Sequence, residues 1–203
     1  MSYKESLKNK IIIEHGVEAI IFDCDGTLVD SMPTHMKAWE YAFNYFSAEY
    51  DEEFLFSLKG MKDTDIVDLY NKNFGAALNA EELTAIKSDY FIRHLTEIEP
   101  INPVIDVAKS NYKKLPLAVA SGSPENIVYA ELDFIGITGL FDVILTAGDP
   151  FTPKPDPEIF LAAASKMKVE PERCIVLEDG DAGLEAAVKA SMKTFDVRTL
   201  FIG

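Results

Sequence analysis

The sequence has few cysteines, few basic residues and no long apolar run, and each shortage excludes a class of protein. Its two cysteines, Cys24 and Cys174, are too few for a disulfide framework and indicate a reducing compartment. Its 19 Lys and Arg against 34 Asp and Glu give a net charge of -15, so we expect no nucleic acid and no membrane as partner, because both would repel the chain. No apolar run spans a membrane, and the run at residues 11–13 is too short for a signal peptide. A cytoplasmic protein is therefore expected.

The composition that remains is typical of a globular protein. Hydrophobic residues make up 48% of the chain and the mean hydropathy is +0.02. A chain of 203 residues can bury a core and hold one domain, or one domain with an insertion. The sequence contains no internal repeat and no low-complexity tract.

The most informative stretch is residues 19–28, Ala-Ile-Ile-Phe-Asp-Cys-Asp-Gly-Thr-Leu. Its four apolar residues predict a buried parallel strand that stops at Asp23, and Gly26 then allows a tight turn. Because side chains alternate along a strand, Asp23 and Asp25 leave on the same side and Cys24 points away. Two carboxylates therefore share one small space.

Two close carboxylates indicate a particular chemistry. Their charges repel, so the site should recruit a divalent cation, or one carboxyl should keep its proton. An ionised Asp23 can then act as a nucleophile, and a protonated Asp25 can give its proton to a leaving oxygen. Thr27 and the backbone N–H groups of the Gly26 turn can hold an anion.

Further polar residues follow the ends of later predicted strands. Strands and helices alternate after residue 100, which predicts a parallel sheet, and ligands bind outside the carboxyl ends of such strands. A hydroxyl, a backbone N–H, a proline-flanked lysine and two more acids stand at these ends, namely Ser121, Gly122, Lys154, Glu178 and Asp179. Oxygen ligands of this kind suit Mg²⁺.

Residues 33–98 have only helical patterns, so we predict a helical insertion that acts as a lid over the strand ends. The predicted domains are an α/β core of residues 17–32 and 100–203, a helical domain of residues 33–99, and an N-terminal extension of residues 1–16 without assigned chemistry. Predicted helices cover residues 52–58, 64–74, 80–98, 126–135, 157–167 and 182–191, after a first one that begins near residue 33. Later strands are predicted at 117–120, 141–146, 174–177 and 194–197, and Asp181 is predicted as a helix N-cap.

The order Asp-x-Asp-Gly-Thr, Ser, Lys-Pro, Glu-Asp resembles the haloacid dehalogenase superfamily over residues 17–200, and the insertion resembles its helical C1-type cap. More narrowly, the chain resembles the branch that holds β-phosphoglucomutase and small sugar-phosphate phosphatases, most of all the bacterial fructose-1-phosphatase and 6-phosphogluconate phosphatase type. The resemblance implies a Rossmannoid parallel sheet with an inserted cap. It also implies a Mg²⁺-dependent phosphatase that hydrolyses small sugar phosphates through an aspartyl-phosphate.

Carried over position by position, the resemblance implies roles for individual residues. Asp23 would be the nucleophile and a metal ligand, and Asp25 the general acid/base that also binds the metal through its carbonyl. The phosphate would be held by Thr27, Ser121, Gly122 and Lys154. The metal site would be completed by Glu178 and Asp179. The cap would face the substrate with His35, Lys59 and Lys87.

Two alternatives remain open on the same residues. The first is a phosphomutase, which passes the phosphoryl group to a substrate hydroxyl, and the second is a non-catalytic sugar-phosphate sensor. In the mutase a cap arginine grips a second phosphate, whereas this chain has Asp63 at that place. An acid would repel the second phosphate, so hydrolysis is favoured. The sequence leaves the sugar and the oligomeric state undetermined, and we expect a monomer.

Overall fold

The computed structural model describes residues 11–201, so the first ten residues of the predicted N-terminal extension lie outside it. The strands are β1 (Ala19–Phe22), β2 (Val29–Asp30), β3 (Glu99–Pro100), β4 (Leu117–Ala120), β5 (Val143–Leu145), β6 (Cys174–Glu178) and β7 (Lys193–Asp196). The helices are α1 (Met32–Tyr45), α2 (Glu52–Ser57), α3 (Asp63–Phe74), α4 (Ala80–Arg93), α5 (Asn102–Asn111), α6 (Glu125–Phe134), α7 (Glu158–Met167) and α8 (Asp181–Lys189). Short 3-10 turns follow at Leu95–Glu97, Thr138–Leu140, Pro171–Arg173 and Val197–Leu200.

Five parallel strands form the main sheet in the order β5-β4-β1-β6-β7. The chain builds β4 and β5 on one side of β1 and then returns to build β6 and β7 on the other. The strand order therefore reverses at β1, and the carboxyl ends on either side of such a switch point form the ligand crevice of an open α/β sheet. The predicted α/β class is confirmed.

The apolar strand β1 is buried because both faces of the sheet are covered. Ile20 and Phe22 pack into one layer of the core with residues of α5 and α6, and Ala19 and Ile21 pack into the other with α7 and α8. Ile11, in the described part of the extension, is buried in the first layer. Among the described residues, no helix combines the length and the apolarity that crossing a membrane requires.

Helices α1 to α4, called the cap below, follow one another between β2 and β3, and they have a hydrophobic core of their own. Its buried members are Met36, Trp39, Ala42, Phe43, Leu55, Ile66, Val67, Tyr70 and Leu83. The two chain segments that enter and leave the cap, β2 and β3, pair with each other as antiparallel strands. No strand was predicted there, because a pair of two-residue strands gives no alternating pattern to detect.

Three local predictions were wrong. Helix α4 ends at Arg93 rather than near residue 98, and a 3-10 turn replaces its last part. Helix α5 was not predicted, because Pro103 was interpreted as a break although proline is tolerated in the first turn of a helix, where it lies here. Asp181 is the first residue of α8, and Gly180, whose backbone is extended, is the N-cap. The exposed carboxylate of Asp181 pairs with Arg198 at 2.8 Å.

Candidate active site

A cleft lies between the carboxyl ends of the central strands and the cap, at the edge of the sheet where ligands of open α/β folds bind. Thr27 lies behind it, where its buried hydroxyl donates to Asp179 Oδ1 at 3.3 Å. The other predicted site residues line the cleft, namely Asp23, Asp25, His35, Lys59, Lys87, Ser121, Gly122, Lys154, Glu178 and Asp179. Residues up to 156 positions apart in the sequence therefore meet in one space, counted from Asp23 to Asp179.

Lys154 joins two of the acids at the floor of the cleft. Its Nζ donates to Asp23 Oδ1 and to Glu178 Oε2, each at 2.8 Å, and all three side chains are buried. Burial raises the pKa of Asp23 well above its usual value, the charge of Glu178 raises it further, and Lys154 offsets this only in part. Burial would lower the pKa of Lys154, but the two carboxylates hold it above its ordinary value. The lysine therefore stays charged.

Asp179 completes this acidic group. Its Oδ2 accepts from Lys59 Nζ at 3.1 Å, and its pKa is raised, first by burial and then by the charge of Glu178. The β1 turn leaves just enough room for it, because a Cβ at position 26 would lie 2.4 Å from Asp179 Oδ2. Gly26 also has a φ of 78°, which glycine adopts readily. Both constraints require glycine at this point of the motif.

Carboxylate oxygens of Asp23, Glu178 and Asp179 lie within 4.8 Å of one another, which is close enough to share one metal ion. Burial first, and then the charge of Glu178, raises the pKa of both Asp23 and Asp179. Lys154 and Lys59 offset this rise in pKa only in part. Hard oxygen donors with excess negative charge fit a divalent cation such as Mg²⁺. The residues present therefore fit a metal site at this end of the cleft.

Asp25 lies apart from that group and is held by three donors. Its Oδ1 accepts from Ser31 Oγ at 2.6 Å and from His35 Nε2 at 2.7 Å, and its Oδ2 accepts from Ser123 Oγ at 2.6 Å. Burial would raise the pKa of Asp25, but His35 and the two serines hold it below its usual range. The expectation of a protonated Asp25 is therefore wrong for this arrangement, because three donors stabilise the carboxylate.

Each of the three predicted cap residues reaches a carboxylate. His35 contacts Asp25 and Lys59 contacts Asp179, so both bridge the cap to the sheet. Lys87 instead pairs within the cap, with Asp63 at 2.6 Å, and its Nζ lies 4.8 Å from the centre of the Trp39 ring. The cap end of the cleft therefore contains a lysine and an acid whose charges cancel.

The motifs that meet at the cleft follow one another in the sequence in the order found in a known family. A family model described as haloacid dehalogenase-like hydrolase matches residues 20–197. The chain belongs to this family.

Relatives of this haloacid dehalogenase-like hydrolase include sugar-phosphate phosphatases. The fructose-1-phosphate phosphatase YqaB of Escherichia coli is 36% identical over 182 residues, which cover 89% of this chain and 96% of that protein. The 6-phosphogluconate phosphatase of the same organism is 30% identical and covers 88% of this chain and 81% of its own length. The crystal structure of β-phosphoglucomutase from Clostridium difficile superposes with a TM-score of 0.75 at 30% identity, covering 89% of this chain and 84% of that one.

The sequence analysis missed several polar residues around Asp25 in this hydrolase. Ser31 and Ser123 hold its carboxylate, and the buried Glu131 of α6 lies behind His35. Ser123 could have been suspected from the Ser-Gly-Ser stretch after β4, but only one of its serines was assigned a role. Glu131 gave no signal, since a glutamate within a helix is ordinarily exposed.

Proposed function

We propose that this hydrolase is a Mg²⁺-dependent phosphomonoesterase that acts on small sugar phosphates through an aspartyl-phosphate on Asp23. The observation that carries the proposal is the buried contact of Lys154 with both Asp23 and Glu178 at the switch point of the sheet. A lysine there can contact a phosphoryl oxygen while it keeps the nucleophilic carboxylate in place. The sugar-phosphate phosphatases among the relatives support this reading.

The phosphoryl group would be bound at the end of β4 and by Lys154. The buried Ser121 hydroxyl accepts from the backbone N–H of Ser123 at 3.0 Å, which leaves its own hydrogen available for a phosphoryl oxygen. Thr27, predicted for the same task, would act through Asp179, to which its hydroxyl donates. Gly122 lets the cap approach the end of β4 closely, because a Cβ there would lie 2.6 Å from the carbonyl oxygen of Gly60 in the cap.

Asp23 and Asp179 would hold Mg²⁺, with the carbonyl of Asp25 as a further ligand. Mg²⁺ bound there would offset the negative charge that gathers on the phosphoryl oxygens during transfer. Glu178 would chiefly fix the geometry. Its Oε1 accepts the backbone N–H groups of Asp179 at 3.1 Å and Gly180 at 2.8 Å, while its Oε2 binds Lys154.

The reaction would proceed in two steps on the side chains of this protein. A carboxylate oxygen of Asp23 attacks phosphorus, the bond from phosphorus to the sugar oxygen breaks, and Asp25 gives a proton to the leaving alkoxide. Asp25 then takes a proton from water, which attacks the aspartyl-phosphate and releases inorganic phosphate. Asp25 must first take up a proton and leave some of its three donors, because they favour its ionised form here.

The phosphomutase alternative is disfavoured by the cap end of the cleft. A mutase that works through a bisphosphate needs a cationic site for the second phosphate. Lys87 is the buried cation in the cap part of the cleft, and Asp63 already neutralises it at 2.6 Å. Uncharged hydroxyl groups of a sugar suit such a pair better than a second phosphate does.

The test is incubation of the purified protein with Mg²⁺ and fructose 1-phosphate, 6-phosphogluconate or β-glucose 1-phosphate, with free phosphate and sugar isomers measured together. We expect phosphate release that EDTA abolishes. Isomerisation without release would establish the mutase instead. Release of no phosphate from any substrate would contradict the proposal and leave the sensor as the remaining reading.

We also infer a cytoplasmic location and a monomeric state. Both cysteines are buried and free, which fits a reducing compartment. Sedimentation equilibrium would test the second inference, since a monomer has a mass of 22.6 kDa.

A further inference from the structure

The proposed reaction leaves one buried acid without a role. Glu131, in α6, is fully buried. Burial raises its pKa well above the usual value, and the nearby charge of Asp25 raises it further. An acid in such surroundings destabilises the fold unless its polar atoms are satisfied. Its contacts therefore need an explanation.

The two oxygens of Glu131 differ in their partners. Oε2 accepts a hydrogen bond from Cys24 Sγ at 3.3 Å. Oε1 is buried and has no hydrogen-bond partner, and His35 Nε2 lies 3.9 Å from it. That nitrogen already binds Asp25 Oδ1 at 2.7 Å. Because an ionised carboxylate can only accept, Nε2 carries the hydrogen in this bond.

His35 cannot easily find another partner in this position. Its ring stacks on Phe91, with centroids 4.1 Å apart and an interplanar angle of 19°, and only 5% of the residue is exposed. The hydroxyls of Ser31 and Ser123 can rotate toward other acceptors if Asp25 leaves them. The stacked imidazole has no such freedom, so its N–H would be buried and unsatisfied, which is unfavourable.

Oδ1 of Asp25 holds two donors and Oδ2 holds one, so a turn of this carboxyl toward the sugar oxygen breaks contacts with them. Glu131 Oε1 is a vacant acceptor at 3.9 Å from the same hydrogen-bearing nitrogen. A shift of about 1 Å in the carboxyl group of Glu131, with the imidazole still stacked on Phe91, would bring the two atoms to hydrogen-bond distance. The loss of one bond can then be offset by the formation of another.

We propose that Glu131 is a positioning residue, the second acceptor for His35 Nε2–H, which takes over when Asp25 turns toward the leaving oxygen. The inference rests on the proposed function, because it gives Asp25 a reason to move. It holds for either protonation state of Glu131, since a neutral and an ionised carboxyl both offer an acceptor oxygen.

The kinetic test compares Glu131→Met with Glu131→Gln. Methionine fills a similar space and offers only a weakly accepting sulfur. We therefore expect kcat to fall about five- to tenfold, which corresponds to the loss of one hydrogen bond, with KM unchanged. Glutamine keeps an acceptor oxygen and should retain kcat. The thermal midpoint of Glu131→Met should be equal or higher, because a buried acid is removed.

The matched control is Glu185→Met, which makes the same change at an exposed glutamate of α8 and should alter nothing. Equal kcat for the wild type and Glu131→Met would overturn the inference, and so would a Gln variant as impaired as the Met variant. Both results would leave the phosphatase standing, since the wild type would still release phosphate.

A second measurement needs no activity. In protein with ¹⁵N-labelled histidine, the Nε2–H signal of His35 is assigned by its loss in His35→Asn. We expect this signal to remain protected from exchange with water in Asp25→Ala, where Glu131 Oε1, 3.9 Å from Nε2 in the wild type, can accept it. It should be lost in Asp25→Ala with Glu131→Met. Loss in Asp25→Ala alone would overturn the inference, even if the protein released no phosphate.

Discussion

The two ends of the cleft differ in how their charges are balanced. At the sheet end three carboxylates share two lysines, and the pKa values of Asp23 and Asp179 are raised. At the cap end one lysine and one acid, Lys87 and Asp63, pair at 2.6 Å. The first end carries excess negative charge and the second carries none.

This difference in charge determines which way round a substrate would lie in the cleft. The sheet end can take a cation and the phosphoryl group that the cation and Lys154 would bind together. The cap end, with Trp39 beside the neutral pair, can take an uncharged ring with hydroxyl groups. A small sugar monophosphate fits this arrangement, and each prediction below changes one end and asks whether the other is affected.

The largest effect is expected from Asp23→Asn. Loss of the nucleophile should lower kcat by more than about 10³-fold. In the absence of metal, Asp23→Asn should also increase the free energy of unfolding. The sign of this change follows from the raised pKa of Asp23. A carboxyl whose pKa is raised by folding contributes stability at low pH and loses it as pH rises through the raised pKa. At about pH 7 the neutral amide removes this penalty, which a higher thermal midpoint would reveal. Residual activity near the wild-type level would exclude Asp23 as nucleophile.

Lys154→Met should unfold more easily than Lys87→Met. Removal of Lys154 leaves two buried acids, Asp23 and Glu178, without their cation, and breaking such a buried pair typically costs about 3–5 kcal/mol. Removal of Lys87 leaves a single buried acid, Asp63, without its cation. The loss of stability in Lys87→Met should therefore be smaller than in Lys154→Met. Urea denaturation at about pH 7 measures both. Equal losses would mean that the two ends are balanced alike.

Mg²⁺ affinity should increase with pH. Asp23 and Asp179 have raised pKa values, so part of each population holds a proton that Mg²⁺ must displace. Affinity is therefore weakest at low pH and rises until both groups are ionised, by up to about tenfold per pH unit for one displaced proton. Calorimetric titration at several pH values measures this. An affinity independent of pH would show that the acids are already ionised without metal.

The smallest effect is expected at the cap. Asp63→Asn should free Lys87 and raise kcat/KM for a sugar bisphosphate relative to the matching monophosphate, by about tenfold for one favourable ion contact. Asp89→Asn is the control, since Asp89 pairs with Arg93 on the exposed side of the same helix as Lys87. An unchanged ratio would show that Asp63 does not determine the charge of the substrate.

The sheet end was predictable from the sequence because parallel strands bring their carboxyl ends to one edge. Asp23, Lys154 and Asp179 follow strands, so strand prediction alone placed them together. The contact between Lys87 and Asp63 was not predictable, since it depends on how α3 and α4 pack. Glu131 was missed for the same reason, because its contacts cross from α6 to Cys24 after β1 and to His35 in α1.

The pairing of β2 with β3 has a consequence for how such a chain can be rebuilt. Val29 lies opposite Pro100, so the two ends of the inserted helices meet at one point of the core. An insertion whose ends already touch adds no wide gap for the surrounding chain to close, and closure entropy grows only slowly with the length inserted. The length of the inserted segment is therefore only weakly constrained by this junction, whereas Ala38 and Phe91, which pack into the core of the sheet domain, constrain what the segment must contain.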